Sequence, residues 1–63
     1  MLKGRLVEIV REMNVRPLGK NPKLTDLAHW VINELPVVAP HDPRTATAVQ
    51  IAKVWWDHER SSK

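Results

Sequence analysis

The chain has no cysteine, no phenylalanine and no tyrosine, and only two glycines. Without cysteine it has neither a disulfide nor a thiolate metal site. The usual staple of a small secreted domain is missing, so a reducing, cytoplasmic setting is expected. No apolar run approaches the roughly 20 residues needed to span a bilayer. Lys3, Arg5, Glu8, Arg11 and Glu12 break up the N-terminal segment and leave no apolar stretch for a signal peptide. Membrane insertion and secretion are therefore not expected. Internal repeats and low-complexity segments are also missing.

What remains is 63 residues, enough for one domain and one core. A chain this short hides only about 60% of its unfolded surface, so each large side chain matters. Ten Lys and Arg against seven Asp and Glu leave a formal charge of +3. That excess permits nucleic acid or an acidic protein as partner and selects neither. Size, composition and a Met at position 1 together suggest a small intracellular accessory or regulatory protein.

Apolar periodicity predicts an all-α fold: a small three-helix bundle with Pro-containing connections and helices near 2–13, 22–35 and 43–60. In the first helix Leu2, Leu6, Ile9, Val10 and Met13 share a face. Arg5–Glu8 and Glu8–Arg11 sit at helical neighbour positions on the other face, where opposite charges attract. Asn14 suits a left-handed stop, and Pro17 turns Arg16 away from helix. Asn21 as N-cap with Pro22 in the first turn opens the second helix, or else Thr25 caps it. Its stripe is Leu24, Leu27, Ala28, Val31, Ile32 and Leu35, with Trp30 off-centre and either lapped over a neighbour or partly exposed. Pro36 closes this helix by biasing Leu35 to extended backbone.

An extended connection, 36–42, follows. It is expected to lie across the core and bury one or both of Val37 and Val38; the alternative is an exposed apolar patch that meets a partner. Asp42 as N-cap and Pro43 in the first turn open the last helix. That helix carries Trp55 and Trp56, two of the chain's three tryptophans. Both fall in a wide apolar arc and read as the main anchors of the core. Residues 61–63 should fray.

The chemistry-bearing residues are sparse. His29, His41 and His58 are too scattered to converge on a zinc ion, so no metal is expected. Asp57, His58 and Glu59 are adjacent on a helix and point in different directions, which does not build a proton-transfer site. Ser61 and Ser62 lie in the tail, where no nucleophile is preorganised. No catalysis, cofactor or small-molecule substrate is expected.

Two binding readings remain. The first is nucleic acid. Arg44, Thr47, Gln50 and Lys53 on the last helix are residue types that contact bases and phosphates. Arg16, Lys20 and Lys23 form a basic loop with no acid among them. Against a helix-turn-helix stands the connection before the last helix, about seven residues with two prolines and no Gly, where that motif uses three or four. The second reading is a protein-interaction module, as a homodimer or docked on a larger protein. It would use the apolar surplus at Trp30, Val37, Val38 and Val54.

Overall fold

The computed structural model describes residues 2–61, apart from the Leu2 side chain. The expected positions of Met1, Leu2's side chain and the tail at Ser62 and Lys63 thus lie outside the described residues. The fold is all-α: α1 (Leu2–Met13), α2 (Leu24–Asn33), α3 (Leu35–Val38) and α4 (Pro43–Ser61). Three helices are long. The short one, α3, is a single turn where the flanking prolines predict extended chain. Helix α4 also runs one residue further than expected, through Ser61.

α4 is the helix against which α1, α2 and α3 all pack. It does so through small side chains. Ala48 and Ala52, one turn apart, are fully buried, and Thr45 continues their line. The bulk comes from the other helices: Leu6 and Val10 on α1, Leu27 and Val31 on α2, and Leu35 on α3. This corrects the assignment of Trp55 and Trp56 as core anchors. Both are only half-buried, and Trp55 packs on the outside of the cluster. Positions 55 and 56 differ by about 100° around the helix, so one inward direction cannot serve both indoles. Alanines facing inward let the backbones approach, and the large neighbours then fill the space at native density.

Local stops and starts follow from backbone chemistry. Asn14 ends α1 with φ of 55°, the left-handed stop read from the sequence. Its N–H still reaches the carbonyls of Val10 (3.2 Å) and Arg11 (3.1 Å). α2 begins later than expected. Neither Asn21 nor Thr25 caps it; Lys23 stands at the N-cap with extended backbone and no side-chain bond. Val15 and Leu18 from the preceding loop pack against the core, which draws the loop across the bundle. Arg11 anchors that loop by donating from Nη2 to the Gly19 carbonyl at 2.8 Å. Arg11 therefore does not make the expected pair with Glu8.

Pro36 breaks α2 but does not extend the chain. It lacks the N–H that would continue the ladder, so α2 stops at Asn33. The chain turns at Glu34 and resumes as α3 with Pro36 in the first turn, where the missing N–H costs nothing. The Glu34 carbonyl accepts from both Val37 N (2.9 Å) and Val38 N (3.0 Å). Leu35 is thus helical despite preceding a proline, because its burial holds it there. The turn places Leu35 inside and leaves Val37 and Val38 outside, 74% and 52% exposed. The expected burial of those valines is corrected accordingly.

Candidate functional site

The start of α4 is built by Asp42. Its Oδ1 accepts the Arg44 backbone N–H at 2.9 Å, the capping bond read from the sequence. Both of its oxygens also grip the Arg44 side chain, Oδ1 to Nε at 3.1 Å and Oδ2 to Nη2 at 2.8 Å. Arg44 Nη1 reaches the Glu12 carbonyl at 3.4 Å, so the end of α1 meets the start of α4. Hydrogen bonds from the Arg44 side chain, then from its backbone, hold the Asp42 carboxyl below its ordinary value. The guanidinium is correspondingly pushed up. Arg44, one of the cations expected to contact nucleic acid, is thus paired within the chain while its side chain stays 48% exposed.

The other three residues on that helix are all exposed. At about 3.6 residues per turn, each step from Arg44 through Thr47 and Gln50 to Lys53 falls about 60° short of a full turn. The four therefore spread over about half the circumference. Arg44 turns toward α1, while Lys53 borders a hollow shared with α2. In the basic loop Lys20 and Lys23 are exposed. Arg16 is half-buried, with its guanidinium carbon 5.4 Å from the centre of the Trp30 ring. Trp30, off the centre of its stripe, is half-buried and packs against the core.

The apolar candidates fall in two places. Val37 and Val38 form a ledge on α3, between the exposed Pro36 and Pro40. The ledge is fixed to α4, because Thr45 Oγ1 donates to the Ala39 carbonyl at 2.6 Å. Val54, 49% exposed, lies on the outward face of α4. It is nine residues beyond Thr45, or about 13 Å along the axis, and so belongs to separate surface.

One feature was missed from the sequence. Trp56 turns toward α2 and stacks on His29, ring centres 4.4 Å apart and planes tilted by 56°. The Trp55 and Trp56 ring centres lie 5.8 Å apart. Beside them His29, Ile32, Asn33, Lys53, Trp56 and Asp57 line a hollow of about 400 Å³. The signal was available: a histidine on the second helix, off its apolar stripe, and a tryptophan at the edge of the last helix's arc. Among the described residues no three His, Asp or Glu side chains gather as a metal-ligand set, and no helix is long and apolar enough to cross a membrane. No family model matches the chain, and no curated protein or solved structure is detectably similar to it.

Proposed function

We propose that the chain is a protein-interaction module whose contact surface includes the α3 ledge. The observation that carries this reading is the exposure of Val37 and Val38, 74% and 52%, in a turn braced by its own hydrogen bonds. A fixed apolar ledge loses little conformational freedom on binding, which favours a specific partner over loose association. Substitution of a surface valine by serine removes apolar contact and leaves the core intact. In cells, a photo-crosslinker at position 38 should capture a discrete partner that V37S/V38S no longer co-purifies. Equal co-purification by the double variant would refute the reading.

Nucleic-acid binding is the second reading. Its support is narrower: Lys20 and Lys23 are exposed at the entry to α2, in a chain of pI about 9.8. With Arg44 paired to Asp42 and Arg16 set over Trp30, Lys20, Lys23 and Lys53 would supply the charge, and Thr47 and Gln50 the polar contacts. Affinity for duplex DNA should then fall steeply with salt, with a slope near 0.9 for each phosphate neutralised. Absence of binding at low salt would remove this reading.

A further inference from the structure

We infer that the hollow between α2 and α4 is a self-association surface, and that its occupant is a second copy of this chain. Three observations point there. Its floor is apolar and aromatic, with Ile32 and the Trp56 ring stacked on His29. Trp56 is half-buried yet is not packed into the core cluster, so its exposed face is unused within one chain. Its rim carries one ammonium and one carboxylate, Lys53 and Asp57, both exposed and neither paired. These two are four residues apart with the base on the N-terminal side, the weaker order for an ion pair within a helix.

That rim is self-complementary, which a two-fold interface requires, since the same patch must face itself. A two-fold axis crossing α4 near position 55 sets Lys53 opposite Asp57 of the second copy, and Asp57 opposite its Lys53. The two Trp56 rings then close over each other's hollows. Both charges find partners between chains that they lack within one. A standard dimer covers about 800 Å² per copy. The hollow alone is too small for that, so the contact extends along α4 beyond it, over Gln50, which lies about 60° around the helix from Lys53. This surface is separate from the α3 ledge, so either can fail without the other.

Charge reversal with cross-complementation tests the arrangement by sedimentation equilibrium of the full chain. Circular dichroism confirms that each exposed-site variant remains helical. The wild type should dimerise. K53E sets two carboxylates together across the axis, and D57K sets two ammonium groups together. Each should weaken dimerisation by roughly tenfold or more. An equimolar mixture of K53E and D57K chains should dimerise again, because the mixed pair opposes unlike charges at both contacts. W56A should abolish association in every combination. A wild type that stays monomeric at millimolar concentration overturns the inference. So does a dimer indifferent to both reversals, which would lie on another surface, or a mixture that stays monomeric.

Discussion

Asp42 holds Arg44 by four hydrogen bonds, one to the backbone N–H at 2.9 Å and three to the side chain at 2.8, 3.1 and 3.3 Å. A single carboxylate thus caps α4 and aims the arginine that ties it to the end of α1. D42A should lower the melting temperature, and D42N should lower it less, because an amide still caps. The effect should depend on pH. The carboxyl is held below its ordinary 3.8, so its contribution is complete above that value and vanishes as pH falls through the lower folded-state value. Thermal melts of wild type and D42N should therefore differ most near neutral pH and converge in strong acid. A gap that widened on acidification would contradict this.

Thr45 is the polar residue built into the buried face of α4. Its hydroxyl bonds the Ala39 carbonyl at 2.6 Å and fixes α3 to α4. T45V keeps the volume and removes the donor, leaving that carbonyl only the long 3.4 Å contact from Asp42 N. Urea denaturation should show a loss of about 1–2 kcal/mol. T45S, which restores the hydroxyl, should recover part of it.

Ala48 and Ala52 have no exposed surface and face the large side chains of α1 and α2. Enlarging either pushes those helices away from α4. A52L should cost about 1–3 kcal/mol, although leucine is more apolar than alanine. L27A should cost about 2–5 kcal/mol by opening a cavity at a fully packed site. Equilibrium unfolding measures both. A neutral A52L would mean that the helices are not in close contact there.

V37S/V38S should change unfolding free energy by no more than about 0.5 kcal/mol, as exposed sites do. A loss of several times that would show that the ledge supports the core, and the interaction reading would lose its ground.

Helix content was legible in the sequence wherever apolar spacing was regular. The first helix lies where its stripe placed it, and Asp42 with Pro43 marked the start of the last. Side-chain size misled where spacing did not. The two adjacent tryptophans suggested an anchored interior, yet the inward positions of α4 belong to alanines, whose value lies in allowing close approach. The prolines of 36–40 suggested extended backbone. A proline in a first turn supports a helix, and only the burial of Leu35 shows that a new turn begins there. The fate of Arg44 and Arg16 was hidden for a related reason. Composition counts a cation without revealing that a carboxylate or an indole already holds it.

Because α1, α2 and α3 all pack on α4, the element that completes the core is the one furthest along the chain. During synthesis Leu6, Val10, Leu27 and Val31 emerge from the ribosome before the alanines they will meet. Helices of ten or twelve residues are marginal in isolation. Those apolar stripes therefore stay uncovered until Ala48 and Ala52 join them, so the core closes in one late step, and a chain cut before Ala48 would leave its helices without a common partner.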